Sequence, residues 1–262
     1  MLTKNLIRSL VALFIIISLM AGCSGMSNKN NLPKDNNSLT DQKTLALASL
    51  KRRNYKQALE EIAAAEKMDM TDPEVHLIRG IILFAIRDIE GAEKSYKTAI
   101  EYDENYSEAH FNLCGLYLQQ KKYDDAIAHC QKAAADRLYK SKDRALTTIG
   151  AIYFNKGDLD RAEEYFEKSL KVNPALVYTH NELGKLYVAQ GKLADAVEEF
   201  QIAVTGYPVY DEAHYNLGIT YLKLKETYKA CNSFKKVLEI SPLSNYGRKS
   251  KDYIKSVCNS VN

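Results

Sequence analysis

Apolar and small side chains recur along this chain in paired helical stripes, and the pattern returns every 34 residues. Counted from Asp211, Leu217-Gly218, Tyr221, Ala230, Phe234 and Pro242 stand at positions 7, 8, 11, 20, 24 and 32. One period earlier the same positions hold Leu183-Gly184, Tyr187, Ala196, Phe200 and Pro208, and one before that Ile149-Gly150, Tyr153, Ala162, Phe166 and Pro174. Spacings of three and four residues mark amphipathic helices. Small residues at positions 8 and 20 let two antiparallel helices approach closely, large residues at 7, 11 and 24 fill the space around that contact, and proline at 32 ends the second helix. One such pair buries too little apolar surface to stand alone, so the pairs must stack into an all-α solenoid without a single central core.

These are the positions of the tetratricopeptide repeat (TPR), which the chain resembles. Extended backwards, the register gives six copies: residues 39–72, 73–106, 107–142, 143–176, 177–210 and 211–244. The third copy alone breaks the period, at 36 residues, and its extra length lies in the connection Ala135-Asp136-Arg137-Leu138-Tyr139-Lys140-Ser141-Lys142. The expected fold is a right-handed superhelix of six helix pairs, closed by a capping helix over about Tyr246 to Cys258 within a tail of residues 245–262. Arg248, Lys249, Lys251 and Lys255 give that helix a basic, solvated face.

The amino terminus reads differently. Lys4 and Arg8 precede an apolar run ending at Met20, too short to span a bilayer, and then Ala21-Gly22-Cys23. Residues 1–22 have the form of a secretory signal peptide. Small residues directly before Cys23 resemble the lipobox of bacterial lipoproteins, in which the cysteine is acylated; a plain signal peptide with a free Cys23 is the alternative. Ser24 in place of aspartate implies, by the same resemblance, an outer-membrane address, with the repeats facing the periplasm. Residues 23–38 are polar and turn-rich, a tether with an r.m.s. reach of roughly 20 Å. Cleavage before Cys23 removes two basic and no acidic residues and takes the net charge from +3 to +1, which gives no reason to expect nucleic acid.

Four further cysteines suit an exported protein. Cys114 and Cys130 occupy positions 8 and 24 of the third copy, which face one another across a helix pair, and a tail helix antiparallel to the last repeat would bring Cys258 to Cys231. Two disulfides are therefore expected, the alternative being that Cys114 and Cys130 are small apolar fillers. His76, His110, His180 and His214 all fall at position 4. Successive repeats separate equivalent atoms by about 10 Å, so this column is repeat inheritance, not a metal site. His129 is expected in solvent. Asp124-Asp125, Glu163-Glu164 and Glu198-Glu199 are placed on the first turns of second helices, beside the positive end of the helix dipole. No nucleophile with its base, phosphate loop or metal triad is present, so neither catalysis nor a cofactor or small-molecule substrate is expected.

Stacked TPRs line their concave side with first-helix positions 2, 5, 9 and 12. The candidate partner groove comprises Leu77, Ile81, Phe84, Phe111, Leu118, Phe154, Tyr178 and Tyr215, with the position-12 side chains also entering the core. It is mostly apolar, as an extended apolar or amphipathic partner segment would require. Lys43 alone places a cation at position 5, so a clamp for a terminal carboxylate is not expected.

A lipobox, a short tether and six TPRs, together with the passages Tyr123-Asp124-Asp125-Ala126, Asp136-Arg137-Leu138-Tyr139, Ile149-Gly150 and Glu163-Glu164-Tyr165-Phe166-Glu167-Lys168-Ser169-Leu170, resemble the type IV pilus lipoproteins of the PilF/PilW/Tgl type, often called pilotins. That resemblance implies a role in outer-membrane localisation and multimer assembly of the pilus secretin, which would be the protein partner. A general envelope TPR scaffold, serving outer-membrane protein assembly or as a protease adaptor, would use the same anchor and groove.

Overall fold

In the computed structural model, which describes residues 38–258, thirteen α-helices follow one another, and no strand occurs among the described residues. They are α1 (Leu39–Lys51), α2 (Tyr55–Met68), α3 (Pro73–Ala85), α4 (Ile89–Tyr102), α5 (Ser107–Gln119), α6 (Tyr123–Ala135), α7 (Lys142–Lys156), α8 (Leu159–Val172), α9 (Val177–Gln190), α10 (Leu193–Gly206), α11 (Asp211–Lys223), α12 (Thr227–Ile240) and α13 (Asn245–Ser256). The expected signal peptide, Cys23 and nearly all of the expected tether lie outside the described residues. Two compact units form, the first ending at Ala145 and the second beginning at Leu146, within α7.

Local chemistry sets the helix ends. Ser38 and Asp41 form a reciprocal capping box at α1, and Asp72 accepts from the first free N–H groups of α3, whose first residue is Pro73. Asn54, Asp88 and Asp158 cap α2, α4 and α8 in the same way. Position 15, in the turn inside each pair, has a positive φ in all six copies. Gly157 and Gly191 adopt it freely, whereas Arg53, Arg87, Lys121 and Lys225 hold it at about 1 kcal/mol each.

Positions 8 and 24 lock each pair. A Cβ added at Gly150, Gly184 or Gly218 would sit 2.6–2.7 Å from the ring of Phe166, Phe200 or Phe234, and at Gly80 it would sit 2.5 Å from Tyr96. Each ring therefore lies flat on the glycine opposite, and all four aromatic side chains are fully buried. The third pair solves the same problem covalently. Cys114 and Cys130, at these two positions, are disulfide-bonded with their Cα atoms 5.4 Å apart.

This equivalence predicts that Cys114→Gly combined with Cys130→Phe rebuilds the noncovalent lock. Denaturant unfolding of that variant should approach the oxidised wild type, whereas Cys114→Ala with Cys130→Ala should lose about 3 kcal/mol for its closed loop. A swap no more stable than the double alanine would refute the equivalence.

Unit 1 packs Ala46, Leu50, Ile62, Ile78 and Ile82 into a core shared by its first two pairs. In unit 2, Phe200, Leu217, Tyr221 and Phe234 pack together, with Tyr253 and Ile254 of α13 against them. Tyr253 stacks on Phe234 at 4.9 Å, and the Cys231–Cys258 disulfide fastens the end of the tail to α12.

Candidate partner-binding faces

The histidine column closes the turns between repeats. Nε2 of His76, His110, His180 and His214 lies 2.8–3.0 Å from the backbone oxygen six residues earlier, of Met70, Glu104, Pro174 and Pro208. A carbonyl can only accept, so Nε2 carries the proton in each ring. The fourth copy, which follows the lengthened connection, has Leu146 at this position.

The second ring nitrogen reads position 23. His180 Nδ1 meets Glu199 Oε2 at 2.6 Å. Burial opposes charge on His180, but the Glu199 carboxylate and the Pro174 carbonyl outweigh it and raise the imidazole above its usual range. In the third copy position 23 is His129, which is half-buried and not in solvent as expected. Its Nδ1 donates to the bare Nδ1 of His110 at 2.9 Å, and its ring lies against Tyr117. Burial, then the neighbouring His110, pushes His129 down to about 4.

A histidine depressed in the folded chain binds fewer protons there than when unfolded, so stability contributed by His129 is full above its ordinary value of 6.5. It is lost as pH falls from 6.5 towards about 4. Unit 1 should accordingly lose thermal stability over that window, and His129→Gln should flatten the loss. An unchanged pH profile in the variant would contradict this.

Of the acidic pairs, Asp124 and Asp125 do occupy the first turn of α6. Glu163, Glu164, Glu198 and Glu199 lie further in, because α8 and α10 start at Leu159 and Leu193. They act on neighbours, not on the helix ends: Glu163 accepts from Gln190 and Glu199 from His180.

On the first-helix face of unit 1, the expected groove is shallower than its residue types imply. Leu77, Phe111 and Leu118 are buried, at 6%, 6% and 3% exposure, while Ile81 and Phe84 stay half-exposed. Successive first helices touch directly, α1 with α3 and α3 with α5, which covers their position-5 side chains. The long connection covers Phe111 as well. Asp136 accepts from the Leu138 N–H and the Ser107 hydroxyl, turning Tyr139 edge-on to Phe111 at 6.0 Å and leaving Leu138 outside, 89% exposed. Lys43, the position-5 cation, is held by Asp72 at 2.8 Å and Glu74 at 2.5 Å. Burial works against its charge, yet these two carboxylates keep the ammonium above the usual lysine range.

The first-helix face of unit 2, which holds Phe154, Tyr178 and Tyr215 of the expected groove, is largely polar. Lys185, at position 9 of α9, contacts Glu182 at 2.5 Å and Glu212 of α11 at 3.5 Å, all three side chains being largely shielded from water. Burial pushes the Glu182 carboxyl up, against the pull of Lys185. Asn216 donates to the buried Asn181 at 3.0 Å. Tyr178 and Phe154 are half-exposed. Tyr215 is roofed by α13, with Tyr246 at 5.3 Å, Tyr253 at 6.3 Å and Lys249 over its ring. Sequence reading found Tyr178 and Tyr215 but missed Glu182 and Glu212. Their columns, positions 6 and 2, are polar in five of the six copies apiece, and that was the available signal. No cluster of three or more metal-ligating side chains occurs among the described residues.

Tetratricopeptide repeat profiles match residues 43–100, 105–175 and 211–244, and a TPR repeat profile matches residues 184–225, together more than half of the chain. The type IV pilus assembly protein PilF of Pseudomonas aeruginosa is 26% identical over 163 residues, 61% of this chain and 65% of that protein. Stress-induced-phosphoprotein 1 of Caenorhabditis elegans is 31% identical over 108 residues, 38% of this chain and 33% of that protein. The chain thus spans less than two thirds of the length of either. Among solved structures, that of Pseudomonas aeruginosa PilF has a TM-score of 0.72 at 20% identity, covering 82% of this chain and 96% of its own. The structure of PilW, described as a widely conserved type IV pilus biogenesis factor, has a TM-score of 0.72 at 21% identity, covering 80% and 97%. At those identities the structural likeness shows the fold alone.

Proposed function

The chain belongs to the tetratricopeptide repeat family, and from that premise we propose that it is an outer-membrane lipoprotein that binds the type IV pilus secretin and assists its localisation and multimer assembly. The observation that carries this reading is the 26% identity, over 163 residues, with a protein named for type IV pilus assembly. The Ala21-Gly22-Cys23 lipobox adds the anchor, through an acylated Cys23. Such a role needs binding and no catalysis. In unit 1, the half-exposed Ile81 and Phe84, above a floor of Leu77 and Phe111, offer a contact for an apolar partner side chain.

Deleting the gene and complementing it tests the reading. Secretin multimers and surface pili should be lost in the deletion strain and return with the wild-type chain. Normal multimers in the deletion strain would discard the pilotin role and favour a general envelope scaffold.

A further inference from the structure

We propose that the first-helix face of unit 2 receives a basic side chain of an extended partner segment, with Glu182 and Glu212 as its counter-ions and the Tyr178 hydroxyl as a further ligand. The inference rests on reading this face as partner-binding, but not on the partner being a secretin.

Charge is the first observation. Glu182 and Glu212 share one cation, Lys185, in a largely shielded place, so two carboxylates face a single ammonium and burial pushes the Glu182 carboxyl up. Such an imbalance is costly in a shielded setting, and a ligand cation removes it.

An unpartnered hydroxyl is the second and independent observation. The Tyr178 Oη is buried and makes no hydrogen bond. It lies within electrostatic reach of Glu182, Glu212, Tyr210 and Tyr246. A buried hydroxyl without a partner forgoes the hydrogen bond it would make with water, so folding alone gives no reason to hold it there. Burial keeps the Tyr178, Tyr210 and Tyr246 phenols neutral, well above their usual range. Neutral phenols next to two carboxylates form a site that favours a cation and repels an acidic ligand.

The chemistry selects among ligands. A guanidinium offers donors in a planar fork that can meet both carboxylates while one N–H reaches the Tyr178 oxygen; an ammonium satisfies the charge but fewer acceptors. Neighbouring tyrosine rings add a cation–π contribution. Tyr246 comes from α13, which Cys231–Cys258 secures, so the disulfide also holds one edge of the site in place.

The test uses the mature chain in detergent and blocked hexapeptides of alanine carrying a single arginine, lysine, citrulline or glutamate. Ring resonances of isotopically labelled tyrosine follow the titration. The arginine peptide should shift Tyr178, Tyr210 and Tyr246 saturably, at least ten-fold more tightly than the citrulline or glutamate peptide, with the lysine peptide between. Glu212→Gln should weaken the arginine peptide by ten-fold or more. Because that change leaves Lys185 one partner short, Tyr178→Phe is the second variant: it removes a hydroxyl that bonds to nothing in the free chain, should fold as well as wild type, and should weaken the arginine peptide several-fold. Equal binding of arginine and citrulline peptides, or unweakened binding by Tyr178→Phe, would overturn the proposal. No secretin is present in this experiment, so its failure is separable from failure of the pilotin reading.

Discussion

Phe200→Ala is expected to destabilise the unit that begins at Leu146 by about 3–5 kcal/mol, the range for removing a fully buried phenylalanine. Its ring has no solvent exposure and lies close enough to Gly184 that a Cβ there would fall 2.7 Å away. Removing the ring opens a cavity at the point where α9 and α10 come closest, and neither helix can collapse into it without losing its register with α11 and α12. The reciprocal change, Gly184→Ala, overfills the same point and should cost about 1–3 kcal/mol. Since both act on one contact, Gly184→Ala with Phe200→Leu should cost less than the two changes summed. Urea unfolding of the wild type, Phe200→Ala, Gly184→Ala, Phe200→Leu and the double variant reads this directly. A loss below about 1 kcal/mol for Phe200→Ala would mean that the lock lies elsewhere.

Cys23→Ala should have the largest effect in cells. If acylation at Cys23 is the anchor, the variant accumulates as an unlipidated precursor, leaves the outer-membrane fraction and loses most of the secretin multimers. The repeats should unfold at the wild-type temperature, because position 23 precedes the first helix by more than a dozen residues. Mass spectrometry of the wild-type chain decides the chemistry. A normally cleaved, unmodified amino terminus would reject acylation, and full secretin assembly by Cys23→Ala would show that the anchor is dispensable.

The sequence revealed most about features that recur. A small residue facing a large one at positions 8 and 24 recurs in five of the six copies and so exposes the steric requirement, and the two cysteines at these positions in the third copy could be read as facing each other. The histidine column was visible as inheritance. Its cause was not, since the accepting carbonyls of Met70, Glu104, Pro174 and Pro208 belong to the main chain and leave no side-chain signature.

What sequence missed depends on neighbours that do not recur. Leu77 and Phe111 have the residue types of a groove, but their exposure depends on how closely successive first helices approach, and for Phe111 on one tyrosine of one irregular connection. His129 looked solitary because its partner lies 19 residues away on the facing helix. The trio of Glu182, Lys185 and Glu212 joins two repeats, and a column-by-column reading compares equivalent positions, not different positions in adjacent copies.

The proposal that the first-helix faces of the two units bind the pilus secretin is tested most directly by site-specific photo-crosslinking in living cells. A photoreactive residue at Ile81, Phe84 or Tyr178 should give an adduct containing the secretin, while the same residue at Lys56, whose side chain is 90% exposed on a second helix, should give none. Secretin adducts confined to the first-helix positions are the expected result. Adducts with other envelope proteins only, or secretin adducts only from Lys56, would contradict it.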